Sequence, residues 1–156
     1  MRLIIMRHGH SPSAVEAGVK HDHDRPLSDA GRAAARAQAG RLAAEGLVPD
    51  LILHSPYTRA AQTAHEVRRA LGGKPRLEEW LPLENQLPGP EVYKRLCEGG
   101  PRRGLTMLVG HMPQLGELAS GLLGVSMGFA AAQVLVVEGD ALGSCRVVAD
   151  LSPEDD

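Results

Sequence analysis

Aromatic residues are scarce in this chain of 156 residues, which has one Trp, two Tyr and one Phe. The core must therefore be built from aliphatic side chains rather than from large rings. The two cysteines, Cys97 and Cys145, are isolated and lie in no metal-binding or redox spacing. We expect two free thiols in a reducing compartment.

An excess of charge of one sign is also lacking, since the formal net charge is -2. This balance excludes the electrostatic footprint of a nucleic-acid-binding protein, and no dense Lys/Arg run marks a membrane surface. The uncharged stretch 118–137 is long enough to cross a membrane, but glycines and serines interrupt it, which predicts helix, turn and strand. With no secretory signal after Met1, we expect a cytoplasmic protein without nucleic-acid or membrane partners, either a monomer or a weak dimer.

Hydrophobic patterning predicts one domain over residues 1–156, with 152–156 as a frayed tail. The predicted strands are 2–6, 50–53, 76–78, 105–109 and a hairpin of 133–138 with 145–150. The predicted helices are 28–45, 55–71, 90–97 and 113–123, with a long polar loop over 8–26, Ser28 and Ser55 as N-caps and Pro56 at a first helical position. This alternation predicts an α/β fold, a three-layer α/β/α sandwich with a mainly parallel sheet and helices on both faces.

Three predicted strands end in residues that are suited to bind a phosphoryl group. They lead into Arg7-His8-Gly9, into Ser55-Pro56-Tyr57-Thr58-Arg59 and into Gly110-His111. Ligands of such sheets bind beyond the carboxyl ends of the strands, so two histidines and two arginines are expected in one crevice. Guanidinium groups bind phosphate through a planar fork, and a neutral imidazole is a competent nucleophile toward phosphorus.

Each neighbouring residue has a predicted role in that crevice. Gly9 permits a tight turn and a close backbone approach to a ligand. Free N–H groups near Ser55 favour an anion, and Arg59 adds a bidentate contact to the same oxygens. His111, as an imidazolium, would donate to a phosphoryl oxygen as a preorganised electrostatic stabiliser.

The motif combination resembles the histidine phosphatase superfamily, also called phosphoglycerate mutase-like. The motifs that carry the resemblance are Arg7-His8-Gly9, Ser55-Pro56-x-x-Arg59-Ala60-x-Gln62-Thr63 and Gly110-His111-x-Pro113. The short chain and the element Asp24-Arg25-Pro26-Leu27-Ser28-x-x-Gly31 more closely resemble the small SixA-type phosphohistidine phosphatases. The resemblance spans residues 2 to about 115. It implies the fold of that family, a phosphorylated His8 and a phosphate pocket of Arg7, Arg59 and His111, with Arg25 as a fourth contact.

The implied reaction is in-line attack by His8, displacement of the leaving group and hydrolysis of the phosphohistidine by water. The cationic side chains carry the charge of the phosphoryl oxygens, so no metal or other cofactor is expected. An alkoxide leaving group needs a general acid, for which Glu84 is the nearest candidate unless it is a solvated loop residue. Imidazole leaves more easily, which favours a phosphorylated protein histidine over the alternative substrate, a small phosphate ester.

Three alternatives stay open at this level. Arg25 is equally well explained as a loop arginine paired with Asp22 or Asp24. Two His-x-His pairs with interleaved aspartates, formed by His8, His10, His21 and His23, have a spacing that could ligate the metal of a metal-dependent hydrolase. The simpler interpretation is that His10, His21 and His23 are loop residues in water. The third alternative is a non-catalytic module that binds phosphorylated partners, although such a module has no need of a nucleophile at His8.

Overall fold

A six-stranded sheet forms the centre of the computed structural model, which describes residues 1–153. Residues 154–156 of the predicted frayed tail lie outside the described residues. The strands are β1 (Arg2–Arg7), β2 (Leu51–His54), β3 (Arg76–Glu79), β4 (Thr106–Gly110), β5 (Val134–Glu138) and β6 (Arg146–Leu151). Their order in the sheet is β3-β2-β4-β1-β5-β6. The first four strands run parallel to one another, whereas β5 is antiparallel to both β1 and β6.

Helices cover both faces of this sheet, and the predicted α/β/α sandwich is confirmed. They are α1 (Ala14–Ala17), α2 (Asp29–Ala44), α3 (Thr58–Ala70), α4 (Gly89–Cys97) and α5 (Gln114–Leu123), with 3-10 turns at Asp22–Asp24 and Leu81–Leu83. The predicted loop over 8–26 therefore contains α1 and the first of these turns. None of the helices in the described part of the chain is long and apolar enough to span a membrane.

The core is divided between the two faces by the alternation of the strand residues. In β1, Ile4 and Met6 pack with residues of α2 and α3, whereas Leu3 and Ile5 pack with residues of α4 and α5. Phe129 is the only buried Phe, Tyr or Trp side chain among residues 1–153. The aliphatic core expected from the composition is therefore present.

The sheet order places the three predicted phosphate-binding motifs side by side. β4 lies between β1 and β2, and all three strands are parallel, so their carboxyl ends meet at one edge. Arg7 of β1 is in register with Gly110 of β4, and His54 of β2 is in register with Val109. The residues that follow these positions therefore converge.

The two predicted helix caps have different outcomes. Ser28 caps α2, because its hydroxyl accepts the N–H of Gly31 at 3.0 Å. The predicted cap at Ser55 is wrong: α3 begins at Thr58 after Tyr57, without a side-chain cap, and Pro56 lies outside the helix. The Ser55 hydroxyl instead accepts the N–H of Tyr57 at 3.1 Å, which tightens the turn before the helix.

Two glycines allow the chain after β1 to pack directly on the first turn of α2. A β-carbon on Gly31 would lie 2.3 Å from the carbonyl oxygen of His10, and one on Gly9 would lie 2.8 Å from that of Gly31. The N–H of Ser28 also donates to the His10 carbonyl, at 3.0 Å. Glycine is thus required at position 9 because the backbone there packs closely against a helix. The prediction had attributed Gly9 to a close approach to a ligand instead.

This contact predicts a difference between two glycines of the same helix. Gly31→Ala should lower the free energy of unfolding by about 1–3 kcal/mol, because its methyl group overlaps backbone that cannot easily move. Gly40→Ala adds a methyl group to open space and should leave stability unchanged or raise it by up to about 1 kcal/mol. Urea denaturation of both variants measures the difference, and equal effects would contradict the packing described here.

Candidate active site

His8 lies buried at the carboxyl end of β1, with its backbone fixed on two sides. Its N–H donates to the Gly110 carbonyl at 3.0 Å, and its carbonyl accepts the N–H of Ala132 at 3.0 Å. The ring Nδ1 lies 2.7 Å from the Gly9 carbonyl oxygen. Since a carbonyl only accepts, Nδ1 carries the proton and Nε2 keeps a lone pair. Nε2 is therefore the ring atom of His8 that has a lone pair available to bond an electrophile.

The surroundings of His8 keep this imidazole neutral. Burial, together with the positive charges of Arg59, Arg7 and Arg25, lowers the pKa of His8 to about 4, against the opposing hydrogen bond to Gly9. At neutral pH the ring is uncharged. The form with a free Nε2 lone pair is therefore the populated one.

We expect the His8 ring to titrate with a midpoint of about pH 4 in the isolated protein. Burial and the neighbouring guanidinium groups both disfavour the imidazolium, so protonation requires a pH well below histidine's ordinary pKa of about 6.5. Two-dimensional NMR of the ring carbons and nitrogens across the pH range measures this midpoint. A midpoint near pH 6.5 would contradict the electrostatic picture of the site.

His111 lies next to His8 at the end of β4, with ring centroids 5.1 Å apart. Its Nε2 is 2.7 Å from the Ser55 hydroxyl, and its buried Nδ1 has no hydrogen-bond partner among residues 1–153. Burial, the neighbouring His8 ring and then Arg59 lower the pKa of His111 to about 3. The ring is thus neutral here, in contrast to the predicted imidazolium, and a phosphoryl charge beside it would raise that pKa.

Arg59 extends from the first turn of α3, and its side chain is only 9% exposed. The guanidinium donates through Nη1 to the Asp22 carbonyl at 2.8 Å and through Nη2 to the Asp22 carboxylate at 3.0 Å. Its Cζ lies 5.2 Å from the ring centroid of Tyr57, and the Tyr57 ring lies 4.9 Å from that of His111. The aromatic ring and the helix together hold a buried positive charge beside the two histidines.

Arg7 contributes a second guanidinium to the same site. Its Nη1 donates to the Phe129 carbonyl at 2.8 Å, while its buried Nε has no hydrogen-bond partner among the described residues. Burial and the charge of Arg59 both lower the pKa of Arg7, which nevertheless stays protonated. Two positive groups held near each other, one with a free buried donor, indicate an anion site.

Arg25 turns back from its loop, but its donors are bonded to protein groups. Its Nε donates to the Pro12 carbonyl at 2.8 Å, its Nη2 to the Ser11 carbonyl at 3.3 Å and its Nη1 to the Asp22 carboxylate at 2.9 Å. These contacts match the alternative interpretation of the sequence, in which Arg25 is a loop arginine paired with Asp22. Asp22 thereby bridges Arg25 and Arg59, a role that the sequence analysis did not foresee.

Two residues of the second motif, Gln62 and Thr63, connect α3 to the loops after β1, and the sequence analysis assigned them no role. The Thr63 hydroxyl accepts the N–H of Gly9 at 3.1 Å, so that backbone donor is already engaged. The same hydroxyl donates to the Arg59 carbonyl at 2.8 Å. Gln62 accepts the N–H of Leu27 at 2.8 Å through its side-chain oxygen. The motif thus connects the elements that carry His8, Arg25 and Arg59.

Glu84, the predicted general acid, lies on the segment after β3, next to Asn85, whose side chain donates to the Met112 carbonyl at 2.9 Å. Glu84 ends the second 3-10 turn and lines a surface depression whose other residues are Leu81, Pro82, Gln86, Leu87 and Arg95. Among the described residues, no hydrogen bond or ion pair joins Glu84 to His8, His111 or the arginines. The carboxylate that contacts the guanidinium groups is that of Asp22.

The four loop histidines of the metal hypothesis are not brought together. His10 contacts the Ser28 hydroxyl through Nδ1 at 2.8 Å. His21 and His23 stack on each other with centroids 5.2 Å apart and an angle of 6° between their planes. Within residues 1–153, no three His, Cys, Asp or Glu side chains form a group that could hold a metal ion.

The sequence model of the histidine phosphatase superfamily (branch 1) matches residues 3–82, about half of the chain. The chain belongs to this superfamily. Among known proteins, it is 37% identical to an uncharacterised protein of Picosynechococcus sp., over 78% of this chain and 73% of that protein.

Solved structures of SixA proteins are similar to this histidine phosphatase over nearly the whole chain. The SixA protein of Agrobacterium tumefaciens has a TM-score of 0.82 and 28% identity, covering 98% of both chains. A protein histidine phosphatase SixA in complex with tungstate has a TM-score of 0.85 and 25% identity, covering 98% of this chain and 97% of that one. The predicted family, its SixA-type branch and the activity class of a phosphoryl hydrolase are therefore confirmed.

Proposed function

We propose that this histidine phosphatase removes phosphoryl groups from protein histidines, as a SixA-type phosphohistidine phosphatase with His8 as the nucleophile. The proposal depends on one observation above all: the neutral His8 ring, with Nε2 unprotonated, lies 5.1 Å from His111 in a site that also holds Arg7 and Arg59. Similarity to SixA proteins over nearly the full chain supports the choice of substrate class.

In the proposed reaction, the Nε2 lone pair of His8 forms a bond to phosphorus while the bond from phosphorus to the leaving group breaks. Arg7, Arg59 and His111 bind the phosphoryl oxygens, with the free Nε of Arg7 and Nδ1 of His111 as donors that still lack partners among the described residues. A water molecule then attacks the phosphohistidine, which releases phosphate and restores neutral His8.

The choice of leaving group follows from the acids that are near the site. Hydrogen bonds from Arg25 and then Arg59 hold the pKa of the Asp22 carboxyl below its ordinary value, so Asp22 is ionised at neutral pH. It is therefore a poor proton donor, and Glu84, which lines a surface depression, makes no hydrogen bond or ion pair with His8, His111 or the arginines among residues 1–153. A site without a strong general acid favours an imidazole leaving group over an alkoxide.

We also propose that the enzyme acts in the cytoplasm on a phosphorylated protein partner, as a monomer or weak dimer. Both cysteines are free, with Cys97 exposed and Cys145 buried, which is consistent with a reducing compartment.

A substrate panel tests the proposed function. Specificity constants would be measured for a histidine-phosphorylated protein, phosphoserine peptides and small phosphate monoesters under the same conditions. We expect the phosphohistidine protein to exceed the monoesters by about 100-fold or more, since no carboxylic acid that could protonate an alkoxide is bonded to the two histidines among the described residues. Higher values for small monoesters would instead identify a small-molecule phosphomonoesterase of the same superfamily.

A further inference from the structure

The carboxylate of Asp22 bonds two guanidinium groups, those of Arg59 and Arg25. Its Oδ2 lies 3.0 Å from Nη2 of Arg59, and its Oδ1 lies 2.9 Å from Nη1 of Arg25. The backbone carbonyl of Asp22 accepts an N–H of the other terminal nitrogen of Arg59, Nη1, at 2.8 Å. One residue thus engages both terminal nitrogens of Arg59, the groups that would bind a phosphoryl group in the proposed function.

A carboxylate and a phosphoryl group are chemically similar ligands of a guanidinium. Both present negatively charged oxygens in a plane that matches the fork of N–H donors. Asp22 is ionised at neutral pH, because its hydrogen bonds to Arg25 and Arg59 lower the pKa of its carboxyl. Both anions therefore have an affinity for the same side of Arg59.

The two partners of this ion pair differ in how firmly they are held. The Arg59 side chain is 9% exposed and is carried by α3, whereas the Asp22 side chain is 62% exposed. Asp22 belongs to the three-residue turn Asp22–Asp24, in which no residue is buried. Displacing Asp22 from Arg59 thus disrupts little packing, while displacing Arg59 would disrupt much more.

We propose that Asp22 lowers the affinity of this site for oxyanions, because its carboxylate competes with the incoming phosphoryl group for Arg59 and moves away when the oxyanion binds. This inference rests on the proposed function, because it takes Arg59 as a phosphoryl ligand. The apparent affinity for an oxyanion is reduced by the fraction of molecules in which Arg59 is free. Every oxyanion therefore binds less tightly than it would to a site in which Arg59 is free.

Calorimetric titration with tungstate at pH 8 tests the competition. We expect Asp22→Ala to bind tungstate about 10-fold more tightly than the unmodified protein, with a smaller gain for Asp22→Asn. Asp24→Asn is the matched control, since Asp24 lies in the same turn but pairs with His23 at 3.6 Å, and its affinity should be unchanged. If Asp22→Ala does not fold, Asp22→Asn gives the decisive comparison.

Perrhenate serves as a second probe, because it has the tetrahedral shape of tungstate but a single negative charge. If the carboxylate leaves the site, removing it benefits both anions by the same factor. If the carboxylate stays in place, its removal benefits the doubly charged tungstate more. Equal gains therefore support displacement, and a clearly larger gain for tungstate overturns it.

The remaining outcomes separate this inference from the proposed function. Unchanged or weaker tungstate binding by the Asp22 variants, with normal binding by the unmodified protein, would overturn the competition alone. Asp22 would then serve to position Arg59 and Arg25. Failure of tungstate to bind any of the proteins would overturn the phosphoryl site itself, and the competition with it.

Discussion

Replacing His8 with alanine is expected to lower kcat/KM by about 10,000-fold or more, as is typical when an enzyme loses its nucleophile. The substitution removes the Nε2 lone pair that forms the bond to phosphorus. It leaves the guanidinium groups of Arg7 and Arg59 in place, so binding of the oxyanion should be much less affected than turnover. Steady-state assays combined with tungstate titration measure the two effects separately.

Rapid-quench labelling with radioactive phosphoryl donor provides a direct readout of the intermediate. The unmodified protein should carry a phosphoryl group that is stable in alkali and lost in acid, as phosphohistidine is, and His8→Ala should carry none. His10→Ala is the matched control, because His10 is exposed and contacts the Ser28 hydroxyl instead of the pocket. Unchanged turnover in His8→Ala would reject nucleophilic catalysis at this position, whereas absence of turnover in the unmodified protein would favour the module that only binds phosphorylated partners.

The convergence of the motifs was predictable because it follows from local patterns and one rule of sheet geometry. Apolar runs marked β1, β2 and β4 as strands, and parallel strands present their carboxyl ends at one edge. No knowledge of the strand order was needed to expect the residues after positions 6, 53 and 109 in one crevice. The same reasoning predicted Ser28 as a cap, since capping depends on neighbouring residues.

Features that depend on the path of the polar loop were not predictable in this way. Asp22 meets Arg59 across 37 positions of sequence, through a turn that no hydrophobic pattern marks. The only available signal was the spacing of Asp22 and Arg25, which form an i,i+3 ion pair. The charge of His111 was misjudged for a related reason, since it depends on burial and on His8 and Arg59, which are distant in sequence.

Replacing Arg59 with alanine is expected to lower kcat/KM by about 100- to 1,000-fold, the effect of removing one preorganised donor to transition-state charge. The affinity for tungstate should decrease as well, because this guanidinium contributes to anion binding and not only to the chemical step. Arg59→Lys should recover only part of the kcat/KM and of the tungstate affinity, because an ammonium group keeps the charge but lacks the planar fork of donors.

Arg69→Ala is the matched control, because Arg69 lies on the same helix, near its exposed last turn. Thermal unfolding of each variant separates loss of function from loss of fold, and Asp22 retains its bond to Arg25 when Arg59 is removed.

The double variant Asp22→Ala/Arg59→Ala tests the competition between Asp22 and the oxyanion more strictly. If Asp22 acts only by competing for Arg59, its removal should improve tungstate binding when Arg59 is present and have little effect when Arg59 is absent. Equal gains in the two backgrounds would place the influence of Asp22 on another group of the pocket, with Arg25 as the first to examine.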